Sequence, residues 1–129
     1  LSREDFSGES MSIKFFGYKA CGTCKKAEKA LEAMGVDFSF IDITQNPPSK
    51  TALKKMIAMS GEEIKKFYNT SGKKYKEFNI KDKKVGMSEA QQVELLASDG
   101  YLLKRPLVTD GECATVGYKE DRFKEVWGG

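Results

Sequence analysis

Short apolar stretches and stretches with helical spacing alternate along the early part of the chain. Residues 12–18, SIKFFGY, are rich in Ile, Phe and Tyr, which is typical of a buried strand. One apolar helical face follows, made by Ala27, Ala30, Leu31 and Met34. Gly35 is placed to end that helix, and residues 36–43, VDFSFIDI, alternate as a strand does. The pattern predicts a βαβ unit, whose crossover makes the two strands parallel.

The middle of the chain predicts mainly helices. Residues 45–49, QNPPS, form a turn that also starts a helix, because proline is tolerated in a first helical turn. The apolar face of this helix is Leu53, Met56 and Ile57. Gly61 ends it, residues 62–68 predict a second short helix, and residues 69–75, NTSGKKY, predict a loop.

A third helix of this region begins at a capping-box pattern. Ser88 can accept a hydrogen bond as the N-cap, and Gln91 three residues later can return one. The predicted buried face is Ala90, Val93 and Ala97, with Leu96 beside them.

The last part of the chain predicts a hairpin and a closing helix. Two short strands, 106–110 and 113–118, flank an Asp-Gly turn, and residues 119–127 form the helix. The buried face of that helix is Phe123, Val126 and Trp127. This order of elements predicts an α/β thioredoxin-like fold. We expect a mixed four-stranded sheet flanked by helices, with the middle helices as an insertion.

Composition and charge narrow the function classes. The 129 residues are 40% hydrophobic and 32% charged, as expected for one globular domain. No apolar stretch approaches the about 20 residues that span a bilayer, so no membrane partner is expected. The formal net charge is only +3, with Lys and Glu interspersed, so direct nucleic-acid binding is not predicted either.

The first residues differ from the rest of the chain. Residues 1–10 are polar and lack periodicity, which predicts an unstructured extension or a remnant of cloning before one domain at 11–129. They lack the cationic and apolar segments of a signal peptide. Together with three cysteines, an odd number, this favours a reducing, cytoplasmic location.

Cys21 and Cys24 form a CxxC pair between the first predicted strand and the first helix. A zinc site is disfavoured, because the chain has no histidine and only Cys113 besides the pair. A structural disulfide here would close too small a loop to stabilise much. A redox pair is favoured, because the helix N-terminus and the charges of Lys25 and Lys26 would stabilise a Cys21 thiolate. Cys113 is expected to be a buried small hydrophobe.

Four segments of the chain carry a family resemblance. They are residues 15–43 with the CxxC pair, the NPPS turn at 46–49, residues 68–82 and residues 102–127. In this order they resemble the arsenate reductase (ArsC)/Spx family of the thioredoxin superfamily, over residues 12–127. The resemblance implies that Cys21 is the nucleophile and Cys24 the resolving thiol. It also implies that Arg105 binds the anionic or polar group near Cys21, and that Pro106 is cis.

This resemblance predicts a thiol–disulfide oxidoreductase whose redox-active centre cycles through a Cys21–Cys24 disulfide bond. The expected substrate contacts are Gly22, Thr23, Lys104 and Pro106. The substrate would be a small-molecule or protein disulfide, and the reductant glutathione, glutaredoxin or thioredoxin. No metal or organic cofactor is implied.

Two other functions stay open within the same family. Glutaredoxin-dependent arsenate reductases have serine at the Cys24 position and hold the oxyanion with three arginines, of which only Arg105 has a counterpart here. The other two places, near Asn69 and near 117–118, lack arginine, which disfavours arsenate. Spx-type regulators carry CxxC and bind RNA polymerase, so the polymerase α subunit is the partner expected of an Spx-like protein. They typically have a longer C-terminal tail, which disfavours that alternative.

Side chains around the pair also have plainer interpretations. Arg105 could simply cap a strand edge, and Lys19 and Lys104 are expected to be solvated. Tyr18 and Tyr118 are expected to pack, although a tyrosine near the pair could also line a groove for a thiol substrate.

Overall fold

The structure is a computed structural model that describes residues 13–128; the expectation for residues 1–10 lies outside the described residues. The strands are β1 (Lys14–Gly17), β2 (Ser39–Asp42), β3 (Leu107–Thr109) and β4 (Ala114–Val116). The α-helices are α1 (Gly22–Ala33), α2 (Lys50–Ser60), α3 (Lys73–Glu77), α4 (Ile80–Lys83), α5 (Glu89–Ser98) and α6 (Glu120–Trp127). Short 3₁₀ turns lie at Ile64–Phe67, Lys84–Gly86 and Gly100–Leu102. Within this described part of the chain, no helix is both long and apolar enough to cross a membrane.

The four strands form one mixed sheet in the order β2-β1-β3-β4. β1 and β2 run parallel, with Phe15 opposite Phe40, which confirms the βαβ unit. β3 runs antiparallel to both β1 and β4, so its Val108 lies opposite Phe15 and Thr115. The predicted thioredoxin-like α/β fold is confirmed, and the helical insertion lies between β2 and β3.

The sheet has a hydrophobic cluster on each face, because successive side chains of a strand point to opposite sides. Phe15 and Val108 belong to one cluster, whereas Phe16 and Leu107 belong to the other. All four side chains are at most 8% exposed. Each face therefore needs its own layer of helices.

The face with Phe15 is covered by α1 and α6. Ala27 and Leu31 of α1 are buried there with Phe123 of α6, as their spacing predicts. The indole N–H of Trp127 donates to the hydroxyl of Thr115 at 3.2 Å. This bond fixes the end of α6 against β4 and satisfies a buried donor.

The middle helices cover the opposite face. The Ser49 hydroxyl caps α2 by accepting a hydrogen bond from the Ala52 N–H, and Gly61 ends this helix at φ 73°. The predicted face of α2 is buried, at Leu53, Met56 and Ile57. The predicted capping box of Ser88 and Gln91 starts α5.

The loop predicted at 69–75 is shorter than expected. Lys73–Glu77 form α3, so the connection ends at Gly72. Residues 73–77 are held as a short helix because the Tyr75 side chain is buried in the core and packs this helix against the domain. The second short helix predicted before this loop is a 3₁₀ turn at Ile64–Phe67.

The predicted buried face of α5 is partly wrong. Val93 and Leu96 are buried and Ala97 is half-buried, but Ala90 is exposed. Ala90 lies in the first turn of the helix, where it borders an open groove together with Ile57 and Val93. The N-terminal turn of α5 therefore extends beyond the hydrophobic core, whereas the middle of the helix packs on it.

Candidate redox site

Cys21 lies between β1 and α1 and is the N-cap residue of the helix. Its N–H donates to the Tyr18 carbonyl at 3.0 Å, which closes a tight turn after the strand. Its Sγ accepts a hydrogen bond from the Cys24 backbone N–H at 3.4 Å. A sulfur thus occupies the place of an N-cap oxygen, where free N–H groups and the helix dipole favour negative charge.

Cys24 lies one helical turn further on and is fully buried, whereas Cys21 is partly exposed. Cys24 packs in the same cluster as Phe15 and Ala27. Gly17 at the end of β1 permits this packing, because a Cβ there would lie 3.3 Å from the Cys24 sulfur and 2.6 Å from the Phe15 ring. The pair therefore consists of one accessible thiol and one shielded thiol.

The two thiols differ in acidity. Burial alone would raise the pKa of Cys21, but hydrogen bonds from the backbone and thiol of Cys24 and the interaction with Arg105 outweigh it, so the pKa is lowered. Burial raises the pKa of Cys24 to about 12, and negative charge on Cys21 adds to that rise. Cys21 therefore ionises first, while Cys24 keeps its proton.

Arg105 supplies a positive charge to the pair. Its peptide bond with Pro106 is cis. The guanidinium Cζ lies 5.1 Å from the centroid of the Tyr18 ring, a cation–π distance. The Nη1 atom is buried and has no hydrogen-bond partner within residues 13–128. A buried donor of this kind is available to a polar group that binds near Cys21.

Tyr18 contacts a second aromatic ring. The rings of Tyr18 and Tyr101 meet edge-on with centroids 6.3 Å apart. Lys74 Nζ lies 4.9 Å from the Tyr101 centroid and 2.8 Å from an Asp99 carboxylate oxygen. Another oxygen of Asp99 accepts the Tyr101 N–H at 2.9 Å. A row of charged and aromatic groups thus connects α3 with Arg105, so Tyr18 does more than fill space.

A groove of about 390 Å³ opens beside the first turn of α1. Thr23, between the two cysteines, lines it together with Gly117 and Tyr118. Its charged lining residues are Lys65, Lys66, Lys104, Lys119 and Glu62. The Gly117 N–H donates to the Pro106 carbonyl at 2.9 Å, which joins the groove to the segment that carries Arg105. The groove therefore holds an excess of positive charge next to the pair.

Two of the four predicted substrate contacts, Thr23 and Lys104, belong to the lining of this groove. Gly22 is exposed, and a Cβ there would have no atom within 4 Å. The groove also borders the two places without arginine, near Asn69 and at 117–118. Among the described residues that line the groove, the basic ones are lysines rather than arginines.

Sequence reasoning did not identify some residues of this region as part of a site. They are Lys65, Lys66, Lys119 and Tyr101. Long stretches of chain separate them from Cys21, and only the fold brings them near it. Lys19, which was expected to be solvated, is exposed, but its Nζ lies 4.1 Å from the centroid of the Phe40 ring.

Cys113 is exposed, so its predicted burial is wrong. It follows the hairpin turn, where an Asp110 carboxylate oxygen accepts the N–H groups of Glu112 and Cys113 at 2.8 Å each. The Thr109 hydroxyl donates to the Cys113 carbonyl at 2.7 Å, and these bonds fix the backbone with the thiol outside the sheet. All three cysteines are free thiols, so a Cys21–Cys24 disulfide stays a prediction. Among residues 13–128, no group of three or more His, Cys, Asp or Glu side chains is placed to hold a metal ion.

Known proteins resemble this chain over almost its whole length. The sequence profile of the ArsC family matches residues 16–126. The uncharacterized protein YusI of Bacillus subtilis (strain 168) is 56% identical over 117 residues, which cover 91% of this chain and 99% of that protein. The global transcriptional regulator Spx of Lactiplantibacillus plantarum is 24% identical over 105 residues, which cover 81% of this chain and 78% of that protein.

Solved structures share the architecture. An ArsC family related protein from Bacteroides fragilis is 39% identical with a TM-score of 0.85, and the match covers 90% of this chain and 98% of that chain. A possible arsenate reductase from Streptococcus mutans UA159 is 38% identical with a TM-score of 0.78, over 84% of this chain and 92% of that chain. The sequence match and the shared fold together show that the chain belongs to the ArsC family.

Proposed function

We propose that the protein is a thiol–disulfide oxidoreductase that acts through Cys21 and Cys24. One observation carries the proposal: a partly exposed N-cap thiol with a lowered pKa precedes a buried thiol with a raised pKa by one helical turn. A nucleophilic thiol needs thiolate character and access, and a resolving thiol needs proximity. Membership of the ArsC family supports the same class of chemistry.

The first chemical step uses Cys21. Its thiolate attacks one sulfur of a substrate disulfide, so that a Cys21–substrate S–S bond forms and the substrate's own S–S bond breaks. The departing sulfur leaves as a thiolate and takes a proton from water. The Cys24 N–H and the Arg105 charge stabilise the Cys21 anion before this attack.

The second step uses Cys24, whose proton must leave first. In the free dithiol, negative charge on Cys21 helps to hold that proton. Once Cys21 is part of a mixed disulfide it carries no charge, so Cys24 ionises more readily. Its thiolate attacks the Cys21 sulfur, releases the second substrate thiol and leaves a Cys21–Cys24 disulfide. Two electrons from thioredoxin, glutaredoxin or glutathione restore the dithiol, which suits a cytoplasmic location.

Arg105 has two roles in this mechanism. Its charge favours the Cys21 thiolate, and its buried Nη1, unpaired within the described residues, donates to a carboxylate or carbonyl of the substrate. Thr23 and Lys104, which line the adjoining groove, contact the rest of the substrate. Arg105 and the groove residues therefore both hold the substrate next to the reacting sulfur.

Arsenate reduction is the second candidate function. The same Arg105 donor favours it, and so does the 38% identity to a possible arsenate reductase. Arsenate is a doubly charged oxyanion, for which planar arginine forks are the suited donors. The groove offers lysines, whose ammonium groups act as point charges, so we rank arsenate below a disulfide substrate.

A redox-sensing regulator is the third candidate, favoured by the likeness to Spx. In that role the same pair of thiols would control binding to the RNA polymerase α subunit, and no substrate would turn over. The open groove beside Thr23 favours an enzyme, because a sensor needs no place for a substrate.

Turnover assays with matched variants test the proposal. A glutathione–peptide mixed disulfide and arsenate are supplied separately, with an NADPH-coupled thioredoxin or glutaredoxin system as reductant. Disulfide turnover should vanish in Cys21→Ser. It should fall at least about tenfold in Arg105→Ala, because a hydrogen bond to a charged group contributes about 1.5–3 kcal/mol. Cys113→Ser is the control and should keep the rate of the unmodified protein.

Cys24→Ser separates the two steps. The variant should accumulate substrate as a mixed disulfide on Cys21, which mass spectrometry of the intact protein detects. Faster turnover of arsenate than of the disulfide, with collapse in Arg105→Ala, would place arsenate reduction first. Binding to the polymerase α subunit without turnover of either substrate would place the regulator first.

A further inference from the structure

We propose that the groove beside Thr23 selects disulfide partners that carry carboxylates next to the reacting sulfur. The inference rests on the proposed oxidoreductase function and adds the class of its substrate, an acidic peptide segment with a cysteine in a disulfide. We call this surface the lysine groove and define it by Lys65, Lys66, Lys104 and Lys119.

The lysine groove adjoins the first turn of α1, between the two cysteines in sequence. Thr23 of that turn is part of its lining. Gly117, which also lines it, donates its N–H to the carbonyl of Pro106, directly after Arg105. We therefore expect the residues that flank a peptide sulfur bonded to Cys21 to reach this groove.

The charges of the lysine groove are mostly uncompensated. Lys65 Nζ lies 3.4 Å from a Glu63 carboxylate oxygen, and both side chains are exposed. Within residues 13–128, no carboxylate lies within 4.0 Å of the other three, Lys66, Lys104 and Lys119. Among the described residues that line the groove, Glu62 is the one acidic residue. A ligand with carboxylates would supply the missing countercharge.

The shape of the lysine groove suits a short peptide. Its volume of about 390 Å³ falls in the range of small-ligand sites. Two tyrosines give it fixed walls: the Tyr68 hydroxyl donates to Gln92 at 2.7 Å, and Tyr118 packs edge-on against Phe123 with centroids 4.9 Å apart. The lysine tips are exposed and flexible, so they recognise charge and tolerate different acidic sequences.

Single-turnover formation of the mixed disulfide tests the inference. The protein carries Cys24→Ser and Cys113→Ser, so Cys21 is its only thiol. Synthetic peptides carry one cysteine linked to thionitrobenzoate, flanked by Asp and Glu in one peptide and by Asn and Gln in its match. Cys21 attacks the peptide sulfur, the coloured thionitrobenzoate leaves as a thiolate, and the peptide stays bound to Cys21. Rates are divided by the rate with neutral dithiodipyridine, which reports the reactivity of Cys21 alone.

The acidic peptide should react about tenfold faster than the amide peptide at low ionic strength. Lys104→Glu combined with Lys119→Glu should abolish that preference. Lys54→Glu combined with Lys76→Glu makes the same change of net charge outside the groove and should preserve it. Added salt should shrink the preference in the protein with all lysines intact.

Three results would overturn the inference. Equal rates for the two peptides would overturn it. Equal loss of the preference for the acidic peptide in both charge-reversed proteins would also overturn it. In these cases attack on the peptides would still support the oxidoreductase function. Normal reaction with dithiodipyridine but none with either peptide would overturn the lysine groove and the peptide-disulfide function together.

Discussion

The guanidinium of Arg105 lies over the ring of Tyr18, with Cζ 5.1 Å from the ring centroid. Tyr18 follows β1 and Arg105 precedes β3, so the contact joins two loops at the same end of the two central strands. The same guanidinium is among the groups that lower the pKa of Cys21. The ring therefore helps to fix the position of the positive charge relative to the thiolate.

Tyr18→Leu should raise the pKa of Cys21 toward the ordinary thiol range, because the guanidinium loses its aromatic support. A cation–π contact of this kind contributes about 0.5–2 kcal/mol to holding the guanidinium in place. Tyr18→Phe keeps the ring and should keep the pKa. Thiolate absorbance against pH measures it, in proteins where serine replaces Cys24 and Cys113. The same pKa in the leucine and phenylalanine variants would show that Arg105 is positioned without the ring.

Alkylation should distinguish the two thiols by pH. The pKa of Cys21 is lowered, so its rate should rise with pH and level off at a midpoint below the free-thiol value of about 8.5. The pKa of Cys24 is raised to about 12 and its side chain is buried, so it should react only on unfolding. Brief exposure to iodoacetamide at a series of pH values, followed by peptide mass spectrometry, gives both profiles.

The denatured chain is the control for this experiment, and there the two cysteines should react alike. Faster reaction of Cys24 in the folded protein would reverse the assignment of nucleophile and resolving thiol. A Cys21 midpoint at or above the free-thiol value would remove the physical basis of the assignment.

Much of the fold follows from local patterns in the sequence. Alternating and helical spacings predict the βαβ unit, the hairpin and the faces of α1, α2 and α6, because each element buries its apolar side against one sheet. Two predictions of burial were wrong for local reasons. Ala90 lies where α5 extends past the core, and the hydrogen bonds of a hairpin turn keep Cys113 at the surface.

The site is predictable only in part. The CxxC motif identifies Cys21 and Cys24 in the sequence, and the order of the segments that resemble the family identifies Arg105. The structure brings the three residues together. The lysine groove has no such signal, because its members come from separate segments and lysine is common on every surface. The support of Tyr18 by Tyr101 depends likewise on how two loops meet.

Gly100 marks a close crossing between the last 3₁₀ turn and the end of β2. A Cβ at Gly100 would overlap the Ile43 carbonyl and lie 3.1 Å from the Thr44 Cα. Gly100→Ala should therefore lower the free energy of unfolding by about 1–3 kcal/mol or more. Gly86→Ala, where a Cβ has no atom within 4 Å, should change it by less than about 0.5 kcal/mol. Urea unfolding compares them, and equal midpoints would show that the turn can shift.

A redox titration of the Cys21–Cys24 pair tests the central claim most directly. The protein is equilibrated against dithiothreitol or glutathione buffers, quenched with acid, alkylated and analysed by mass spectrometry, with Cys113→Ser as control. Stabilisation of the Cys21 thiolate favours the reduced pair and raises its potential. We predict one two-electron transition near the thioredoxin value of about −270 mV, unchanged in the control. A potential well below about −300 mV, or no disulfide between these cysteines in any buffer, would contradict the account.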